Sequence, residues 1–207
     1  MEITFSIVGT SIHPSLNLTA FKAAYFVAEE LLKKFEQCNY PITHLVSGGR
    51  AFAEHVAVQL FLDKKVPHLR IFTSSDYWSN KFGLKFNYGD NRKNFSEMEK
   101  QHHYKFDRLT GIDSLNAINM ARQRGAEIKY VSRGFHACNA LIAKSDFLLA
   151  ITYGEKDIVK DVVAEHIVRR YLERVRKENI FDKSYHYNLN DGKVYVGCNI
   201  PPLINKK

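Results

Sequence analysis

The sequence predicts an α/β protein of the doubly wound kind, with a mainly parallel sheet covered by helices on both faces, one insertion and a C-terminal β-hairpin. Short apolar runs alternate along the chain with apolar residues spaced by three and four, and small turns of glycine, serine and threonine separate them. Strands that alternate with helices across short turns imply right-handed crossovers, and hence parallel neighbours in the sheet. At 207 residues the chain can bury one large core and is short for two, so residues 1–207 are read as one domain.

The elements follow in order. Ile3 to Val8 is strand-like and stops at Gly9-Thr10-Ser11; Phe21, Ala24, Tyr25, Ala28, Leu31, Leu32 and Phe35 then share one helical face, with Thr19 as the expected cap. His44 to Val46 is a short strand broken by Ser47-Gly48-Gly49, and Ala53, Val56, Ala57, Leu60 and Phe61 form the next stripe. A third strand runs from Leu69 to Thr73. The pattern is interrupted at about 74–111 by a polar stretch in which Tyr77, Trp78, Phe82, Phe86, Tyr88 and Phe95 lie among lysines and arginines. It reads as an insertion, with a helix from Ser96 to Leu109 that turns Met98, Phe106 and Leu109 inward. Asp113 or Ser114 starts the next helix, Glu127 to Val131 is a strand and Phe135 to Lys144 a short helix. Phe147 to Thr152 is a strongly apolar strand, and the apolar positions from Val159 to Tyr171 predict a long helix with a basic outer face. The hairpin, at about 184–199, rests on Asn190-Asp191-Gly192, because Asp-Gly readily takes the positive φ angles of tight turns.

The whole-chain numbers narrow the function classes. With 45% hydrophobic and 25% charged residues the composition is that of a globular protein. No secretory leader and no apolar run of about 20 residues is present, so a cytoplasmic protein without membrane contact is expected. Cys38, Cys138 and Cys198 stand far apart without a CxxC pair, the usage of a reducing compartment. His102-His103 and His136-x-Cys138 lack complementary ligands, so no metal and no cofactor is assigned. The net charge of +8 favours encounter with phosphorylated ligands or polyanions. Nucleophile-elbow serine, cysteine-protease and zinc-deaminase signatures are absent.

The candidate site comes from the fold. In an open parallel sheet, ligands settle beyond the carboxyl ends of the strands, where connections diverge to opposite faces. Three turns converge on that edge: Gly9-Thr10-Ser11, Ser47-Gly48-Gly49 and Thr152-Tyr153-Gly154. Glycines admit close approach of the main chain, hydroxyls donate hydrogen bonds, and the next helix N-terminus presents free amides to an anion. Turns also need Gly and Ser without any ligand. Arg50 and Arg133 are the candidate phosphate partners, since a guanidinium binds two oxygens at once. Glu54 is a candidate catalytic carboxylate, with Glu155 as a further acid; a Glu in a first helical turn is equally stabilised by the helix dipole alone. Asn139 braces the loops or touches the ligand, and Trp78 stacks on a base or fills a small secondary core.

Gly9-Thr10-Ser11, Ser47-Gly48-Gly49-Arg50-Ala51-Phe52-Ala53-Glu54 and Asn139-Ala140-Leu141-Ile142-Ala143-Lys144-Ser145-Asp146 ahead of an apolar strand resemble the SLOG superfamily of Rossmann-like domains. That superfamily includes the DNA-processing protein A family, the Lonely Guy phosphoribohydrolases and nucleotide-ligand sensors. The resemblance spans roughly Ile3 to Thr73 and Arg133 to Thr152. It implies a Rossmann-like sheet, a nucleotide or nucleotide-derived ligand at these loops and a homo-oligomer. The sequence departs from the family pattern at four places: Arg50 stands for Ala, Phe52 for Gly, Glu54 for Asp, and Cys138 for the Arg before Asn139. Phe52 is therefore expected to narrow the phosphate approach. The phosphoribohydrolase motif Pro-Gly-Gly-x-Gly-Thr-x-x-Glu survives only as Thr152-Tyr153-Gly154-Glu155. The resulting expectation is a nucleotide-binding domain acting as a sensor or in N-glycosidic bond chemistry; the alternative is a single-stranded nucleic-acid binder that uses the basic aromatic insertion.

Overall fold

A computed structural model describes residues 2–11, 13, 15–74, 76–80, 83–87, 93–154 and 156–200, with the backbone alone for 76–80, 83–87 and 93–98. Strand β1 (Thr4–Gly9) leads into helix α1 (Leu18–Gln37), strand β2 (His44–Ser47), a single 3₁₀ turn (Phe52–Glu54) and helix α2 (His55–Leu62). Strand β3 (His68–Thr73) precedes β4 (Asp76–Asn80) and β5 (Gly83–Asn87), then α3 (Lys93–Thr110) and α4 (Ser114–Gln123). Strand β6 (Glu127–Tyr130), helix α5 (Phe135–Ile142), strand β7 (Phe147–Thr152), helix α6 (Val162–Glu178) and the hairpin of β8 (Ser184–Asn188) and β9 (Lys193–Val196) complete the order.

Seven strands form one sheet in the order β6-β3-β2-β1-β7-β8-β9, parallel except for the antiparallel β8–β9 pair. The chain builds outward from β1 through β2 and β3 to β6, crosses back to β7 on the other flank of β1, and continues to β8. This is the doubly wound, Rossmann-like arrangement, and its direction reverses between β1 and β7. Because side chains alternate along a strand, Phe5 and Ile7 face one core with α1, α2 and α4, while Val8, Leu148 and Ala150 face a second with α5 and α6. All six residues of β7 are buried, as a central strand covered on both faces requires. Full burial of each of its large apolar side chains contributes about 1.5–3 kcal/mol.

Several local expectations are corrected. Asn17, not Thr19, caps α1: its side chain accepts from the Ala20 amide at 2.9 Å, and helix geometry places that acceptor one step before the first helical residue. Asp113 caps α4 by accepting from the Asn116 amide at 3.0 Å. The helix expected from Val159 begins only at Val162, after Asp161, whose carboxylate accepts from the amides of Val163 and Ala164. Val159 is buried for another reason, since its amide donates to Asn199 O at 2.8 Å beside a parallel bridge between Ile158 and Asn199. The expected insertion holds the antiparallel pair β4–β5 as well as α3, which is longer than its apolar spacing suggested. Phe106 of α3 is buried and Leu109 half-buried, while the Met98 side chain lies outside the described residues. No helix among the described residues is long and apolar enough to cross a membrane.

Candidate functional site

Strands β2, β1 and β7 are neighbours, so the three glycine turns leave one edge of the sheet side by side. The reversal between β1 and β7, where a crevice is expected, is closed by the chain itself. Thr10 donates its amide to Ile151 O at 3.0 Å, and the His13 ring stacks on Tyr153 with centroids 3.6 Å apart. Thr10 O in turn accepts from the Ala53 amide at 3.3 Å, which ties the first turn to the 3₁₀ segment after the second.

The glycines admit the protein's own atoms. A Cβ on Gly48 would lie 2.5 Å from Glu54 Oε2, and a Cβ on Gly154 would lie 1.8 Å from Ile158 O. The amides expected to cradle a phosphate are engaged likewise. Gly49 N donates to Ser47 Oγ at 3.0 Å, Ser47 Oγ donates to Glu54 O at 3.0 Å, and Arg50 N donates to Glu54 Oε2 at 3.1 Å. The turn after β2 thus binds an anion, and that anion is the carboxylate of Glu54.

Arg50 completes the arrangement. Its Nε donates to Glu54 Oε2 at 2.8 Å and its Nη2 to Glu54 Oε1, and the pair is almost wholly buried. The guanidinium packs over the Phe135 ring, 4.5 Å from its centroid. Burial by itself would lower the Arg50 pKa; the charge and hydrogen bonds of Glu54 outweigh that, with smaller help from Glu99 and Asp161, and the net displacement is upward. Two buried charges satisfy one another here, as burial demands.

Beside this pair, between the turn after β2, the end of β3 and α5, lies a narrow cleft of about 10 Å³, room for about one water molecule. Gly48, Arg50, Thr73, Glu99, Cys138 and Asn139 line it. Asn139 is 1% exposed, and neither its Nδ2 nor its Oδ1 has a hydrogen-bond partner; Arg50 Nη1 is also buried without one. Buried polar atoms are nearly always paired; among the described residues the unpaired ones include both ring nitrogens of His55, and these three belong to two residues that line one cleft. Burial, reinforced by the field of Glu99, pushes the Cys138 thiol up to about 11 and leaves it a neutral wall.

The other predicted residues are placed as follows. Phe52, expected to obstruct the second turn, does not: at φ +63° it directs its ring into the core, edge-on to Phe21 and Phe106. Glu54, expected to face a ligand, is fully buried, engages Arg50 with both oxygens and does not line the cleft. Asn139, read as a brace, braces nothing with its amide. Arg133 is exposed on the turn before α5 and does not line the cleft. Ser11 borders a separate narrow cavity of about 10 Å³ with Leu16, Phe52 and Phe106. Thr152 is buried against His186, with Oγ1 and Nε2 3.0 Å apart, and Gly154 O accepts from Asn188 and Asn190. Glu155 and the Trp78 side chain lie outside the described residues. Thr73, Ser74 and Phe135 reach the cleft without having been singled out; that β3 neighbours β2 in the sheet was the signal that could have found the first two.

Over 114 residues, 54% of its length, the chain is 32% identical to an uncharacterized protein of Acanthamoeba polyphaga mimivirus. The match spans 58% of that protein, less than two thirds of its length. No protein-family model matches the chain.

Proposed function

We propose that this is a SLOG-like domain that binds a nucleotide or nucleotide-derived ligand at the carboxyl edge of its sheet, over the mouth of the cleft between the turn after β2 and α5. The observation that carries the reading is the set of orphaned polar atoms in that cleft, Arg50 Nη1 and both amide atoms of Asn139. An interior that leaves such atoms without partners forgoes about 1–3 kcal/mol for each, and a ligand that supplied the partners would recover it on binding. The position is at the carboxyl ends of β2 and β3, one strand away from the reversal between β1 and β7 where doubly wound sheets most often take a ligand.

Binding is favoured over catalysis, because Glu54 is held by Arg50 and does not border the cleft. A sensor fits these features better than an N-glycosidic enzyme. The test is a calorimetric titration of the purified protein with nucleosides, nucleoside monophosphates and dinucleotides, with free base followed by chromatography. Binding of at least one compound without release of base is expected. Saturating concentrations that give no heat with any of them would remove the nucleotide reading, and base release abolished by Glu54→Gln would replace the sensor by an enzyme.

A further inference from the structure

We infer that His136, His166 and Arg170 form a binding site for a phosphate group where α5 packs against α6, and that the site fills as the imidazoles take up protons. The site stands whether or not a nucleotide binds over the cleft, since these three side chains alone make the contacts that define it.

The first ground is position. The turn after β2, which by its residues suits a phosphate, already holds an anion, because the Glu54 carboxylate lies against Arg50 N, Nε and Nη2. A phosphate must find its donors elsewhere. Helices α5 and α6 pack together on one face of the sheet, and His136 directly follows Phe135, whose ring packs on Arg50 and lines the cleft. His136 and Arg170 are exposed and His166 half-buried, so an ion from solvent reaches all three.

The second ground is an excess of donors. His136 Nδ1 lies 3.3 Å from His166 Nε2, with the rings edge to face and their centroids 4.9 Å apart, and Arg170 Nε donates to the same His166 Nε2 at 3.0 Å. Arginine has no acceptor, so the Nε2 lone pair of neutral His166 is taken by Arg170 and the ring carries its hydrogen on Nδ1. A hydrogen on His136 Nδ1 competes for that one lone pair, and a lone pair there faces it; neither arrangement satisfies both rings. Among the described residues no carboxylate is hydrogen-bonded or ion-paired to any of the three. Two ring nitrogens 3.3 Å apart would also suit one transition metal, but the guanidinium at the same nitrogen repels a second cation.

The third ground is charge. A protonated imidazole donates from both nitrogens, so once His166 is charged all three groups converge as donors with nothing to accept from them. Burial, then the charges of Arg170, His136 and Arg169, hold His166 below the ordinary histidine range, against a weaker opposing pull from Glu173. A phosphate reverses that balance, because its oxygens accept several charge-assisted bonds at once and its negative charge favours the imidazolium. Binding therefore takes up protons and strengthens as the pH falls.

The experiment follows the histidine ring signals of the full chain by NMR while sodium sulfate, whose charge does not change with pH, is titrated at about pH 6 and about pH 8. The rings of His136 and His166 should shift together and saturably, with affinity at least about fivefold higher at the lower pH. His166→Gln and Arg170→Gln should each weaken sulfate at least about fivefold at the lower pH with an unchanged circular dichroism spectrum. Lys177→Gln, which removes a charge farther along the same helix, should change the affinity by less than about twofold. Inorganic phosphate and ribose 5-phosphate are titrated next: tighter binding of the ester assigns the site to an organic phosphate, and the reverse order assigns it to the free ion. A shift that never saturates, or equal losses in the Arg170 and Lys177 variants, would mean a diffuse field and no site. Zinc ions that move both rings where sulfate does not would make the pair a metal half-site; each of these results overturns the inference. If sulfate binds as expected while calorimetry finds no nucleotide bound, the nucleotide reading falls and the anion site remains.

Discussion

The turn after β2 and the turn after β7 leave the same edge of the sheet and each holds a glycine whose missing side chain makes room for the protein's own atoms, yet they end in opposite states. After β7 nearly every polar group is engaged: Gly154 O accepts from Asn188 Nδ2 at 3.1 Å and Asn190 Nδ2 at 2.7 Å, Thr152 O from the Leu189 amide, and Thr152 Oγ1 meets His186. After β2 two charges are matched, while three polar atoms beside them are not. Glycine at a strand end therefore marks crowding, and capacity for a ligand lies where hydrogen bonds remain unmade. The turn after β7 is a joint that ties the C-terminal hairpin to the sheet; the turn after β2 is the candidate site.

The largest expected effect breaks the charged turn. Glu54→Ala strands the Arg50 guanidinium in the interior and should lower stability by about 3–5 kcal/mol in urea denaturation. Replacing both partners, Arg50→Met with Glu54→Leu, should return stability to within about 1 kcal/mol of the parent, because no uncompensated charge remains. A double variant as unstable as the single one would mean that the pair holds the turn by geometry and not by charge.

The joined turn should yield to crowding and to lost partners. Gly154→Ala puts a methyl group into Ile158 O and should cost about 1–3 kcal/mol. Asn188→Ala removes donors to Gly154 O and Lys156 O and an acceptor for the Asn190 amide, and a loss of about 1–3 kcal/mol is expected. Thermal unfolding of the two variants, with hydrogen exchange on β8 and β9, would reveal whether the hairpin loosens first.

Acid sharpens the comparison on the β2 side. His55, next to Glu54 and packed on Phe21 and Phe106, is held down to about 3 by burial and by nearby His103; His103 is itself held to about 3 by burial and His102. Both are neutral in the fold and protonate near 6.5 when unfolded, so the unfolded chain binds more protons below that pH. Stability present above pH 6.5 should fall progressively between 6.5 and 3, by roughly 1 kcal/mol for each histidine from pH 7 to 5.5. Urea midpoints at the two pH values measure this, and His55→Phe should remove roughly 1 kcal/mol of the loss, the share of that one histidine.

Asn139→Leu should have the smallest effect on stability, within about 0.5 kcal/mol of the parent, because the amide it removes has no partner to lose. The contrast with Asn188→Ala is the direct test of the difference between the turns. A clear loss on Asn139→Leu would assign that amide a structural partner.

The layout of the sheet was legible in the sequence because periodicity reports burial. Phe147 to Thr152 reads as a fully covered strand and is one, and Asn190-Asp191-Gly192 turns the hairpin between β8 and β9. Cap positions were less legible, since Asn17 and Thr19 are both good caps and only the path of the chain selects between them. The site was legible in place and not in content. Ser47-Gly48-Gly49-Arg50 lies at the expected edge, but a tight turn brought Glu54 back onto Arg50, and residue types alone do not reveal which anion fills a glycine turn. Asn139 could be recognised as a polar residue in an apolar helix; whether it had a partner depended on β3 and the β2 turn, which approach it only in the fold.

The central position of β1 bears on how the sheet is assembled. Thr4 and Asp146 exchange hydrogen bonds across 142 residues of chain, and residues 5–9 pair with 147–151. During synthesis β1 is thus kept waiting for β7, one bare side of it available to any extended segment nearby. Fragments that stop short of residue 147 should collect in inclusion bodies, and those reaching past 152 should be the first to stay in solution.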